Sequence, residues 1–91
     1  MSLIEQLVHQ YSTLTASLTA NIARIQRSNE GDLKRIINEG KCQIADIDEL
    51  LEQMELLAPD IEDENDRRKY QNTMNSFKTD AKLLKAELVF L

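Results

Sequence analysis

The sequence predicts an all-α fold, namely an antiparallel up-down-up three-helix bundle with left-handed heptad-type packing. Three apolar stripes with alternating four- and three-residue steps follow one another, each about as long as one helix. Side chains at this spacing fall on one face of an α-helix, and that face must be covered. No stripe position carries a charge, and only two Gly and one Pro occur in 91 residues. We therefore expect a single domain over residues 1–91, since the chain is too short for a second core.

Helix one is expected over about residues 2–27. Its stripe consists of Ile4, Leu7, Tyr11, Leu14, Leu18, Ile22 and Ile25. The middle of this helix is rich in hydroxyl side chains, at Ser12, Thr13, Thr15, Ser17 and Thr19. Ser and Thr have a lower helix propensity than Ala or Glu, so packing of the apolar face must hold this helix.

Helix two is expected over about residues 30–58, after a short polar break. Ser28 or Asn29 can cap its first turn, and Glu30 and Asp32 place negative charge at its positive end. Its stripe consists of Leu33, Ile37, Gly40, Ile44, Ile47, Leu51, Met54 and Ala58, and it is widened by Ile36, Leu50 and Leu57.

Two residues of helix two, Gly40 and Pro59, bear on its backbone conformation. Gly40 lies on the apolar stripe, where Ala would favour the helix by about 1 kcal/mol. This indicates either close approach of a neighbouring helix or a tolerated defect. Pro59 disfavours helical geometry at the residue before it, so the helix should end at Ala58.

Helix three is expected over about residues 64–91, after an acidic run with five carboxylates in residues 60–66. Its stripe consists of Tyr70, Met74, Phe77, Ala81, Leu84, Leu88 and Leu91. We interpret the acidic run as a loop and first helical turn, with Asp63 as a possible N-cap. A calcium site is the alternative, but the ligand order and central Gly of an EF-hand are missing.

Several apolar residues lie off the stripes. Leu83, Val89 and Phe90 make the end of helix three apolar nearly all round, and Leu56 should lie on the outer face of helix two. An apolar end is rarely left bare, so either it packs over the bundle end or the chain is a fragment of a longer protein. We favour the fragment.

The net charge of −5 argues against nucleic acid and anionic membranes as partners, because both require clustered Lys and Arg, although a basic face is compatible with an acidic total. The only basic cluster, residues 67–69, follows the acidic run and should be neutralised by it. One Cys excludes an internal disulfide. No apolar run approaches the about 20 residues of a membrane span, and the N-terminus lacks a signal-peptide pattern. We expect a soluble, cytosolic chain.

The sequence offers no catalytic, cofactor-binding or metal site. His9 is the single histidine and points away from the stripe, and Cys42 lies opposite the core between Lys41 and Gln43. A reactive thiol needs a neighbouring base or a helix N-terminus, neither of which this position offers. We expect both side chains to face solvent and the protein not to be an enzyme, and we assign no partner-binding residue.

Several blocks of residues in the three stripes are distinctive beyond their spacing. Residues 11–16 read Tyr-Ser-Thr-Leu-Thr-Ala, and residues 21–25 read Asn-Ile-Ala-Arg-Ile. Residues 49–56 read Glu-Leu-Leu-Glu-Gln-Met-Glu-Leu, residues 68–70 read Arg-Lys-Tyr and residues 74–78 read Met-Asn-Ser-Phe-Lys. These blocks resemble the N-terminal three-helix (Habc-like) domain of the Vti family of Qb-SNAREs, and the block at residues 49–56 is similar to the most distinctive stretch of that family.

These blocks stand in the order of the family and span most of the chain, although residues 26–46 contribute little. The family's second helix typically continues through Glu-Val, whereas residues 56–59 read Leu-Leu-Ala-Pro, so no partner contact is carried across here. The resemblance implies a non-enzymatic regulatory or sorting domain of a vesicle-trafficking SNARE on Golgi or endosomal membranes. It implies docking to the ENTH domain of an epsin-related clathrin adaptor, with the SNARE helix and membrane anchor following this domain.

Three other interpretations stay open. A structural coiled-coil or spectrin-like bundle would self-associate through the apolar end of helix three, whereas we expect a monomer. A fragmentary or engineered bundle would be stable and have no partner. Within the SNARE class, the domain could fold back on its own SNARE helix.

Overall fold

The computed structural model describes residues 2–89, apart from the side chain of Glu30. Helix α1 spans Leu3–Arg27, α2 spans Glu30–Leu57 and α3 spans Glu64–Val89, and a 3-10 turn at Ala58–Asp60 follows α2. Residues 2–89 contain no strand. The helices form a rod of 51 × 21 × 16 Å. The predicted all-α three-helix fold is confirmed.

Contacts between side chains fix the direction of each helix. On α2 and α3, Glu55 pairs with Lys78 and Asp48 pairs with Lys85, so the numbering runs in opposite directions and the two helices are antiparallel. On α1 and α2, Asn21 bonds to Gln43 while His9 lies beside Gln53, so these helices are antiparallel as well and α1 runs parallel to α3. This is the predicted up-down-up topology, and the left-handed sense of the packing stays a prediction.

The core contains most of the predicted stripe residues, together with residues that flank the stripe of α2. Ile36 and Leu50 are buried, whereas the stripe residues Ile37 and Ile44 are only half-buried. Helix α2 packs against both other helices, so the centre of its buried face lies between the two apolar rows. The buried apolar side chains are Ile4, Leu7, Tyr11, Leu18, Ile22, Ile25, Ile36, Ile47, Leu50, Leu51, Met54, Ala58, Met74, Ala81 and Leu88.

The two predicted N-caps behave differently. The Asp63 side chain accepts a 2.9 Å hydrogen bond from the backbone N–H of Asp66, which confirms Asp63 as the cap of α3. Asn29 occupies the N-cap position of α2, but its side chain makes no cap hydrogen bond. The cap at Asn29 is therefore made by the backbone alone, whose carbonyl accepts from Asp32 and Leu33.

The helix ends agree only in part with the sequence. Helix α2 ends at Leu57, one residue before the predicted end, and Ala58 keeps helical αR backbone angles in the 3-10 turn that contains Pro59, so the expected loss of helical geometry at Ala58 is wrong. At the end of α3, Leu88 is buried and Val89 is exposed. The apolar end was predicted to include Phe90 and Leu91, and both lie outside the described residues.

Gly40 is buried on α2 between leucine side chains of the other two helices. A Cβ atom at Gly40 would lie 3.2 Å from Leu88 Cδ1 and 3.6 Å from Leu18 Cδ1. The predicted close approach is therefore present, and it is made by leucine side chains from α1 and α3 rather than by their backbones.

Candidate protein-docking surfaces

Neither residue with potential reactivity belongs to a chemical site. His9 and Cys42 are both exposed, as the heptad positions predicted. Across residues 2–89, no group of three or more His, Cys, Asp and Glu side chains is placed to hold a metal ion.

Part of the acidic run and basic cluster before α3 is used to shape the start of that helix. Arg67 donates a 3.0 Å hydrogen bond to the carbonyl of Ile61, and Arg68 pairs with Glu64 at 3.3 Å. Together with the Asp63 cap, these contacts order the loop and the first turn. The local neutralisation expected for the basic cluster holds for Arg68, while Arg67 binds a backbone carbonyl instead.

A buried polar pair joins α1 to α2. The Asn21 amide donates a 2.8 Å hydrogen bond to Gln43 Oε1, and the Gln43 amide donates one of 2.8 Å to the Ser17 hydroxyl. Arg24 donates to Asn21 Oδ1 at 3.2 Å. Asn21 is only 4% exposed and Gln43 only 8%. This network fixes the pairing of α1 with α2 by polar contacts that only the correct alignment satisfies.

The first surface groove lies between α1 and α2 and has a volume of about 730 Å³. Leu14 and Leu50 supply its apolar part. Its polar lining residues are His9, Gln10, Thr13, Ser17, Asp46, Glu49 and Gln53. Polar side chains on both walls surround this apolar part.

A second groove, the α1/α3 groove, has a volume of about 660 Å³ and an apolar floor made by Tyr11, Phe77 and Leu84. The rings of Tyr11 and Phe77 stack with centroids 3.9 Å apart and planes at 16°. Tyr11 also donates a 2.9 Å hydrogen bond to the Phe77 carbonyl. Burial, and then the carboxylate of Asp80, raise the pKa of Tyr11 to about 12. The phenol is therefore protonated and bonded within the floor at neutral pH.

The wall of the α1/α3 groove on α1 is made of the small residues Ser12, Thr15, Ala16 and Thr19. Ser12 donates its hydroxyl proton to the Val8 carbonyl at 3.1 Å. Thr15 donates to Tyr11 O and Thr19 donates to Thr15 O, each at 2.8 Å. Because these hydroxyl protons are used within the helix, the wall needs fewer outside hydrogen bonds than its sequence suggests.

The wall on α3 carries an exposed leucine between two carboxylates. Leu83 is 59% exposed, and Asp80 and Glu87 line the groove on either side of it. The sequence placed Leu83 off the core stripe but did not assign it to a surface. The signal was available in the spacing of Ser12, Ala16 and Thr19, which forms a second stripe of small residues beside the core stripe.

The other exposed apolar side chains are scattered. Leu56 on α2 is 73% exposed, as predicted, and Leu3 and Val89 are exposed near the ends of α1 and α3. Single exposed leucines are ordinary on protein surfaces. Within residues 2–89, no helix is long and apolar enough to cross a membrane.

Comparison with known proteins identifies the family of this chain. The family model described as the N-terminus of vesicle transport v-SNARE proteins matches residues 1–91. The protein "Vesicle transport through interaction with t-SNAREs homolog 1A" from Homo sapiens is 35% identical over 68 residues, which are 75% of this chain and 31% of that protein. The Mus musculus protein of the same name matches to the same extent. The chain thus spans about a third of the length of these relatives.

The fold agrees with the sequence comparison. The solution structure of an N-terminal domain of Vti1a from Mus musculus superposes with a TM-score of 0.81 at 31% identity, covering 97% of this chain and 82% of that one. The resemblance to the Vti family is confirmed by both comparisons. The chain belongs to the vesicle transport v-SNARE N-terminal family, and it is a Vti-type, Habc-like three-helix domain of a vesicle-transport SNARE.

Proposed function

We propose that this domain is a non-enzymatic regulatory and sorting module that docks to the ENTH domain of an epsin-related clathrin adaptor. The observation that carries the proposal is the match of the N-terminal family model to residues 1–91. The surface is consistent with it, since the described residues form two grooves that a partner protein could contact. The ENTH partner itself comes from the resemblance to the Vti family.

In this proposal the domain acts on the cytosolic face of Golgi or endosomal membranes, as the N-terminal part of a longer SNARE. The relatives are named for vesicle transport through interaction with t-SNAREs. We propose that t-SNARE pairing belongs to a SNARE helix outside residues 1–91, while this domain selects the adaptor as a monomer. Recognition between two folded surfaces of this kind is transient and buries on the order of 1,200 Å² or less.

The experiment is an NMR titration of the ¹⁵N-labelled domain with an epsin-related ENTH domain. Saturable shifts confined to one face support the proposal and map the contact residues. Absence of shifts at high concentration overturns it, and sedimentation across a concentration series then tests whether the domain self-associates instead.

Two leucine variants sharpen this titration. Leu56→Ser and Leu83→Ser remove exposed apolar side chains from two different surfaces, so both should keep the fold. If the ENTH domain binds one mapped face, only the variant on that face should weaken binding. Equal affinity for both variants and the wild type would place the contact away from both leucines.

A further inference from the structure

The α1/α3 groove is an open surface because of the residues at its edges. Small side chains on α1 face larger ones on α3, so the two helices touch over only a short length above the Tyr11–Phe77 floor. Its lining residues run from position 11 to 19 on α1, about 12 Å along the helix axis, and from 77 to 87 on α3, about 15 Å. This length suits three turns of a further helix lying between α1 and α3.

The charges of α3 are sorted between its two sides. Lys78 and Lys85 point to α2, where they pair with Glu55 and with Asp48. Asp80 and Glu87 point to α1 and line the groove. All of the groove's lining residues are described, and none of them is Lys or Arg. The groove therefore combines an apolar floor with a negative rim.

Asp80 and Glu87 are seven residues apart, which places them about two helical turns, or 10 Å, from each other. Leu83 lies between them and is more than half exposed. A helix that lays apolar side chains on the floor can reach both carboxylates with Lys or Arg residues of its own, spaced by about two turns.

We propose that the α1/α3 groove binds an amphipathic helix of a partner protein, with an apolar stripe facing Tyr11, Phe77 and Leu83 and with Lys or Arg flanking that stripe opposite Asp80 and Glu87. This is the helix-in-groove mode of recognition. The charge pattern selects the occupant, because a second copy of this chain would bring the acidic rims and two net charges of −5 together. The proposal concerns one groove and does not depend on adaptor docking.

The test uses the labelled domain and two synthetic helical peptides of about 18 residues, long enough to cover the groove. Both peptides carry the same leucine stripe, and their flanking positions are Lys in one and Glu in the other. We expect the Lys peptide to shift amide resonances around Thr15, Ala16 and Leu83, to saturate, and to bind more weakly as salt is raised. The Glu peptide should not bind at this site.

Two variants and one matched control test the groove itself. Ala16→Trp fills the groove from an exposed position and should abolish binding of the Lys peptide. Asp80→Asn with Glu87→Gln should weaken it by about 2- to 30-fold, the range expected for two exposed ion pairs. Asp46→Asn with Glu49→Gln changes the net charge equally in the α1/α2 groove and should have no such effect.

The outcomes separate specific binding from general attraction between opposite charges. Loss of affinity on Ala16→Trp and on the Asp80 and Glu87 changes, with the control unaffected, supports the proposal. Equal weakening by the control double variant overturns it, as do shifts centred on the α1/α2 groove or no saturable shifts. A lack of ENTH binding alongside saturable peptide binding would reject adaptor docking and leave this proposal standing.

Discussion

Replacing both members of the buried Asn21–Gln43 pair should disturb the fold less than replacing either one. Asn21→Leu removes the 2.8 Å donor of Gln43 Oε1, and Gln43→Leu removes the acceptor of the Asn21 amide. Both side chains are more than nine-tenths buried, so water cannot easily replace the missing partner. Each single change therefore leaves one buried polar group unsatisfied.

The expected magnitudes follow from this burial. An unsatisfied buried polar group costs about 1–3 kcal/mol, so each single variant should lose that much unfolding free energy. In the double variant, two leucines of similar size pack together and no amide is left unpaired, and the net change can be close to zero. The interaction energy of the double-mutant cycle is then the sum of the two single losses, about 2–6 kcal/mol.

Urea unfolding followed by circular dichroism at 222 nm measures the four unfolding free energies of this cycle. Ser12→Ala is the control, because Ser12 is exposed and its hydroxyl bonds to the Val8 carbonyl of its own helix rather than to a buried amide. Its effect should stay within about 0.5 kcal/mol. Additive single losses, with an interaction energy below about 0.5 kcal/mol, would refute the coupling of Asn21 with Gln43.

Three further predictions each compare the unfolding free energy of a variant with that of a matched control. Leu51→Ala should lower the unfolding free energy by about 2–5 kcal/mol because Leu51 is 7% exposed, whereas Leu56→Ala, at 73% exposed, should change it by less than about 0.5 kcal/mol in the same urea assay. Asp63→Ala should lower the unfolding free energy by about 1 kcal/mol and Asn29→Ala by much less, because of these two residues only Asp63 makes a side-chain cap bond. Equal losses for the two variants would contradict the cap assignment. Burial raises the pKa of Tyr11 from 10.0 to about 12, so the folded protein holds the phenol proton more tightly than the unfolded chain. The unfolding free energy should therefore fall as pH rises from 10 to 12, and Tyr11→Phe should remove this part of the pH dependence.

The fold was predictable because apolar spacing is a local property of the sequence. The stripes on α1 and α3 needed only the helical period, and Asp63 needed only its position before an acidic first turn. On α2 the same reasoning found the buried Leu51 and Met54, but it expected Ile36 only to flank the stripe, and Ile36 lies deeper than the stripe residue Ile37. Local spacing shows that a face is apolar, but the depth of each residue depends on where two neighbouring helices meet.

The candidate surfaces were harder to predict because they depend on contacts between distant residues. Asn21 and Gln43 are separated by 22 positions and lie outside the apolar stripes, so nothing local marks them as a pair. The hydroxyl residues of α1 were read only as weak helix formers. Their position beside α3, and the use of their protons by the preceding turn, became visible only in the structure.

The open side of α1 towards α3 and its polar pairing with α2 have a common physical origin. Small side chains such as Ser12 and Ala16 cannot fill the space towards α3, so the bundle gives up apolar burial on that side and leaves Leu83 exposed. The alignment of α1 is instead fixed on its other side, where the Asn21–Gln43 pair joins it to α2. A helix anchored by polar contacts on one face can leave the opposite face open, and in this domain the open face is the α1/α3 groove. Enlarging Ala16 to Leu should therefore raise stability through added burial while reducing the affinity for a basic amphipathic helix, and a variant that gained both would contradict this division of roles.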